Sequence, residues 1–221
     1  MSKTPKIYSS SVGQKILVGL TGLFLCSFLI VHLSGNLLLF KNDGGVAFNA
    51  FSEFMSTNVF IRLLEIVLLA GFVLHIFFGL RVWLADRRAR PQRYLANRSS
   101  ENSSFASRWA FWTGSIVFLF LIIHMNSFWL PTRFGTGAHS MYDLVKAAFE
   151  SPVYDAFYLV ALVVLGYHLR NGFQSAFQTL GLRPGWQRPI DLVAIIFWLL
   201  FPIGFAAMPL YFLWNHWMGG N

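Results

Sequence analysis

The stretch ILVGLTGLFLCSFLIVHLSGNLLLF, Ile16 to Phe40, contains no Asp, Glu, Lys or Arg. A helix needs about 20 mostly apolar residues to cross a hydrocarbon core about 30 Å thick, so this stretch reads as a membrane span. It is too long for the core of a signal peptide and lacks a small-residue cleavage site, so no leader is expected. Four further stretches qualify. They run from about Phe60 to Leu84, from Trp109 to Leu130, from Val153 to Gln174 and from Leu192 to Trp217. Arg62 and Glu65 lie near the start of the second, and Asp155 and Arg170 near the two ends of the fourth. Pro202 and Pro209 interrupt the fifth, where a lost helical hydrogen bond predicts a bend. The expected fold is all-α: one domain over residues 1–221, with five transmembrane helices in a bundle.

Composition agrees. Of the 221 residues 56% are apolar and 12% charged, half the charge of an ordinary soluble domain, which is about 25%. This excludes a disordered chain, a collagen-like rod and a nucleic-acid-binding module. The single Cys26 excludes a disulfide framework, thiolate metal clusters and c-type haem attachment. The net charge of +8 reads as topology and contact with anionic lipid. Lys3, Lys6 and Lys15 precede the first span. Arg81, Arg87, Arg88, Arg90, Arg93, Arg98 and Arg108 fill the link between spans two and three. Arg170, Arg183 and Arg188 flank the link between spans four and five. The other side holds only Lys41, Arg62, Arg133 and Lys146. Basic loops stay inside, which places the N-terminus in the cytoplasm and the C-terminus outside. Each outer link carries a short amphipathic helix. Ala47, Phe51, Phe54 and Met55 share one face of the first; Met141, Leu144, Val145, Ala148 and Phe149 share one face of the second.

Each of the first four spans contains one histidine: His32, His75, His124 and His168. Ionisable residues inside a membrane mark function by default. At 1.5 Å per residue, His32 and His124 lie roughly 22–24 Å from the inner ends of their spans, and His75 and His168 roughly 10–14 Å. The four therefore sort into an outer and an inner couple. Two imidazole couples at two depths point to two b-type haems, each with two axial histidines. With no coordination position left open, the expected chemistry is electron transfer. Zinc is the rival metal, but it takes four ligands around one centre. His139 and His216 read as surface residues and Cys26 as a packing residue. Thr21-Gly22 with His32 and Thr113-Gly114 with His124 repeat at one common offset, and His75 and His168 at nearly the same one. The chain thus reads as two related hairpins plus a fifth helix. Gly35, Gly71, Gly79, Gly166 and Gly172 flank the histidines. They suit either the approach of a macrocycle or helix packing.

These residues resemble the dihaem cytochrome b anchor of succinate:quinone oxidoreductases, the family that includes succinate dehydrogenase and fumarate reductase, in its single-chain five-helix form. The likeness rests on Ser11 to Gly13 with Lys15, Thr21-Gly22, the run His32 to Leu37, His75, Ser107-Arg108 with Gly114 and His124, and above all the run HLRNGFQSAFQTLG, His168 to Gly181. It extends from about residue 9 to 215. The resemblance implies a membrane anchor that passes electrons between an iron-sulfur subunit and a quinone, menaquinone in dihaem anchors. A flavoprotein subunit would interconvert succinate and fumarate, so this chain would carry no dicarboxylate site. It implies two haem b groups, His75 with His168 nearer the soluble subunits and His32 with His124 farther out. The basic inner loops would meet the iron-sulfur subunit or haem propionates, and the location would be the cytoplasmic membrane of a prokaryote. Glu53, Arg62 and Glu65 are candidates for the quinone site; an interfacial ion pair accounts for them equally. No carboxylate lies between Asp155 and Asp191, which speaks against a proton conduit beside His168. The main alternative is the cytochrome b subunit of a hydrogenase or formate dehydrogenase.

Overall fold

The computed structural model describes residues 10–88, 105–135 and 140–219, helical almost throughout. Five helical segments among them are long and apolar enough to cross a membrane: Ser11–Phe40, Val59–Arg88, Trp109–Phe134, Pro152–Thr179 and Gly185–Trp217. They are spans one to five below, and "inner" denotes the end that carries Lys15, Arg81 and Arg87. Arg90, Arg93, Arg98 and His139 lie outside the described residues.

The helices overrun the apolar stretches at the inner end. Span two continues to Arg88 and span four to Thr179, and the helix of span five begins at Arg183. An apolar stretch marks the hydrocarbon thickness, whereas a helix continues until its end groups find other partners. Ser10 caps span one by accepting from the Gly13 N–H at 3.0 Å. Span four closes on Gly181, whose φ of +74° suits glycine. There Leu182 N–H donates to Phe177 O and Gly181 N–H to Gln178 O, both at 3.1 Å, which satisfies the last carbonyls.

Span one packs against spans two and four, span four against three and five, and spans two and three approach each other sparingly. The first four spans therefore form a ring in chain order, with one and three, and two and four, on its diagonals. Span five lies outside, against spans four and one. Most of the outward surface is apolar, as in Leu64, Ile66, Val160 and Ile203, which suits lipid as the surrounding solvent. Cys26 is buried with Leu169, Phe173, Ile190 and Ala194, in the packing role expected of it.

Where a bend was expected in span five, the helix takes a single π-helical turn, Ile196–Leu200, just before Pro202, while Pro209 sits inside the continuous helix Phe201–Trp217. Proline lacks an N–H, so the Trp198 carbonyl loses its helical donor. Gly166 of span four packs against that carbonyl; a Cβ there would stand 2.7 Å from Trp198 O. Gly166 thus serves helix packing rather than a macrocycle. Gly166→Ala is expected to destabilise the fold by about 1–3 kcal/mol, read as a lower midpoint in thermal denaturation of the detergent-solubilised protein. A second π-helical turn, Met125–Trp129, follows His124 and precedes Pro131.

The connecting helices Val46–Thr57 and Met141–Phe149 close the outer end. Phe48, Val145 and Phe149 are buried, while Phe54 is exposed. Asn49 ties the two helices together by donating to Ser140 Oγ at 3.0 Å and accepting from Tyr142 N–H at 2.9 Å. Both helices are anchored on the protein core, by Phe149 from the face read in the sequence and by Phe48, which lies outside the face Ala47, Phe51, Phe54 and Met55 read for the first.

Candidate functional site

The four intramembrane histidines meet across the diagonals of the ring. His32 and His124 have ring centroids 5.7 Å apart with planes at 88°. His75 and His168 have centroids 6.2 Å apart, also at 88°. Two metal–nitrogen bonds of about 2 Å, plus the depth of both rings, place the centroids of two opposed axial imidazoles about 6 Å apart. Each couple is thus spaced to hold one metal ion between its rings. The levels of His75 and His32 differ by about 16 Å, judged from the 11-residue step along span one between Thr21, which His75 touches, and His32. Among the described residues, no three His, Cys, Asp or Glu side chains converge on one point. That fits a ligand supplying its own equatorial donors better than a four-residue zinc site.

The inner couple sits in two matching seats. Thr21 Oγ1 lies 3.2 Å from His75 Nδ1, and Thr113 Oγ1 lies 3.4 Å from His168 Nδ1. Each threonine hydroxyl donates back to its own helix, Thr21 to Leu17 O at 2.7 Å and Thr113 to Trp109 O at 3.1 Å. A lone pair remains for an imidazole Nδ1–H, which leaves Nε2 free to coordinate. The next residue in each case is glycine. A Cβ on Gly22 would stand 3.2 Å from His75 Cε1, and one on Gly114 would stand 3.1 Å from His168 Cε1. The repeated Thr-Gly pair thus seats the histidine of its own hairpin, a role the sequence comparison noticed without explaining.

The outer couple has different surroundings. Tyr158 OH lies 2.9 Å from His124 Nδ1, and the Asn36 amide lies 3.4 Å from His32 Nδ1. Phe28 and Phe205 lie against His32, and Phe120 and Phe128 against His124, at centroid separations of 5.1–5.6 Å. Tyr154 OH reaches both Ser127 Oγ at 2.8 Å and Tyr158 OH at 3.2 Å. Nothing in the sequence singled out Tyr158, because an aromatic residue in an apolar span has no periodic signature.

The structure also sorts the flanking glycines. A Cβ on Gly35 would meet the Phe51 ring and one on Gly71 the Phe24 ring. These two, like Gly166, are filled by protein. Gly79 and Gly172 each follow an inner histidine by one turn, and a Cβ on either meets nothing within 4 Å. Only these two leave open space beside the inner couple.

Spans two and three are joined near both ends. Near the inner end, Trp83 stacks on Phe111 at 3.9 Å, with Arg87 over Trp83 at 4.9 Å. Near the outer end, Glu65 accepts from Trp129 Nε1 at 2.6 Å and from the Arg133 guanidinium. Arg62 lies 3.8 Å from the same carboxylate. Of the three quinone candidates, Arg62 and Glu65 come together with Trp129 and Arg133. Glu53 is exposed on the connecting helix and stands outside this cluster. At the inner surface Lys15 lies 3.9 Å from Asp86, and Arg170 lies over Trp198 at 5.3 Å.

Over 191 residues the chain is 30% identical to the succinate dehydrogenase cytochrome b558 subunit of Bacillus subtilis (strain 168). The alignment covers 82% of this chain and 87% of that protein. No family model matches the chain, and no solved structure matches it.

Proposed function

On the premise that the chain belongs to the family of succinate dehydrogenase cytochrome b subunits, we propose that it is the dihaem electron-transfer anchor of a succinate:quinone oxidoreductase. The observation that carries this reading is the pair of diagonal imidazole couples, at 5.7 and 6.2 Å and at two levels of one bundle. His75 and His168 hold the inner haem b, and His32 and His124 the outer one. Bound there, each haem would supply one-electron chemistry. The protein orients three of the imidazoles through hydroxyls that can accept from Nδ1–H, those of Thr21, Thr113 and Tyr158, and surrounds the outer pair with aromatic rings. Ligand orientation, hydrogen bonding and burial are the means by which a protein sets such a centre's potential.

The basic inner surface takes the iron-sulfur subunit, with the flavoprotein subunit beyond it, and lies on the cytoplasmic side of a prokaryotic membrane. The two haems held by these histidines would supply one-electron transfer between that subunit and menaquinone. The quinone headgroup binds at the outer end of the seam between spans two and three. There Glu65, Arg62, Trp129 and Arg133 supply polar groups beside apolar surface. Glu53 lies near the entrance on the connecting helix. The relative's name favours succinate dehydrogenase over a hydrogenase or formate dehydrogenase as the parent complex.

Reduced-minus-oxidised spectra of the purified protein, with haem extracted and counted, are expected to show b-type haem at two per chain. A count of one or none overturns the dihaem reading.

A further inference from the structure

We propose that Asp155 is a proton-binding site that loads when the iron of the outer couple is reduced and empties when it is oxidised, an inference that rests on the dihaem reading above.

Asp155 is 1% exposed, and both of its carboxylate oxygens are buried with no hydrogen-bond partner among the described residues. It belongs to the buried face of span four, in line with Tyr158, Leu162 and Leu169. A buried carboxyl without partners is an expensive place for a charge, so its protonation follows the nearest charge that can change. Tyr158, one turn farther along the helix, contacts His124 Nδ1 at 2.9 Å, which puts the outer couple one intervening side chain away; on the dihaem reading the iron held there is a charge that changes with redox state. Asp155 also stands in the first turn of its helix, where the helix dipole favours a negative charge. Both protonation states are therefore accessible.

The surrounding elements carry other titratable groups at this end, with Arg133 at the outer end of span three and Asp43 after span one among them. Tyr154 and Tyr158 lie on span four and His124 on span three. Asp143, Lys146, Glu150 and Tyr142 belong to the connecting helix and its end, Tyr211 and His216 to span five, and Lys41 follows span one. None of them pairs with Asp155. Burial and the neighbouring Tyr211 raise the Tyr142 hydroxyl above its usual range, so it stays neutral. Glu150, His216 and Lys146 form a half-exposed group with separations of 3.9 Å. Glu150 is five residues before Asp155, and this group gives protons a landing point at the outer surface.

The balance is one electron and one proton. An electron arriving from the iron-sulfur relay or from quinol lowers the charge of the outer centre by one. The carboxylate of Asp155 then takes one proton from the outer water, and both leave on oxidation. The sign follows. Reduction favours the protonated acid, so the outer midpoint potential falls as pH rises between the Asp155 pKa values of the oxidised and reduced states. Outside that interval it is flat.

The test is a redox titration of the purified protein at several pH values, with haem counted first. In the parent chain the outer centre's potential is expected to fall with pH. In Asp155→Asn two haems are expected, with the outer potential no longer following pH and the inner centre unchanged. An outer potential with the same pH dependence in both proteins, or none in the parent, overturns the proposal. Redox-difference infrared spectra of the parent chain and Asp155→Glu add a second readout. A protonated-carboxyl band that appears on reduction and shifts in Asp155→Glu supports the assignment; no band, or an unshifted one, overturns it. A haem count below two is a distinct failure, that of the dihaem reading itself.

Discussion

His75→Ala or His168→Ala is expected to lower haem b from two per chain to one and to leave the outer centre's spectrum in place. The two rings face each other across one diagonal at 6.2 Å, so either substitution removes one axial side of the same centre. Loss of a partner one shell farther out typically costs 10–100-fold in metal affinity; loss of a ligand is expected to cost at least roughly 100-fold. On the proposed path, with the inner couple between the soluble subunits and the outer couple, succinate-dependent quinone reduction by the assembled complex should fall by a comparable factor. The diagonal pairing adds a sharper test. The double variant His75→Ala/His168→Ala should be no worse than either single variant, since both act on one unit. His75→Ala/His124→Ala should lose both haems. The inner pairing is refuted if two haems remain in the first double variant, or if the two single variants remove different centres.

The number of spans was legible because hydrophobic thickness is a long-range property of composition, and a few misplaced residues do not alter the count. Helix ends were less legible, since span two runs to Arg88 and span four to Thr179 on hydrogen bonding that hydropathy does not register. The histidine couples followed from depth, which is simple arithmetic along a helix. What seats them was only half visible. The Thr21-Gly22 and Thr113-Gly114 repeat stood out as a pattern, but the contact of each pair with the histidine of its own hairpin is a tertiary fact. Tyr158 carried no sequence signal, because one hydroxyl on an aromatic ring alters neither periodicity nor hydropathy; Asp155 was visible as a carboxylate near the end of span four, but its burial without partners is a tertiary fact. The sequence left the glycines open between two roles, and the structure divides them. Gly35, Gly71 and Gly166 face side chains or backbone from other helices, and one chain's sequence does not distinguish a gap filled by protein from one left open.

Glu65→Ala is expected to damage the outer end twice, and the two effects can be separated. The Glu65 side chain is 22% exposed and that of Arg133 16%. Together with Trp129 they join spans two and three where those helices otherwise approach sparingly. Removing the carboxylate leaves a partly buried guanidinium without its partner. Full burial would make that cost about 3–5 kcal/mol; partial exposure and solvent screening bring the expected loss to about 1–3 kcal/mol, read as a lower thermal midpoint. Quinone reduction is expected to fall as well, through the loss of a polar group at the proposed headgroup site. In Glu65→Ala/Arg133→Ala neither charge is left stranded, so much of the stability should return. If Glu65 serves only as a latch, turnover returns with it. If the cluster also holds quinone, the double variant regains its thermal midpoint but keeps a raised KM for quinone and a low rate. The second pattern is the expected one, and a double variant that turns over quinone like the parent chain would remove Glu65 from the quinone site.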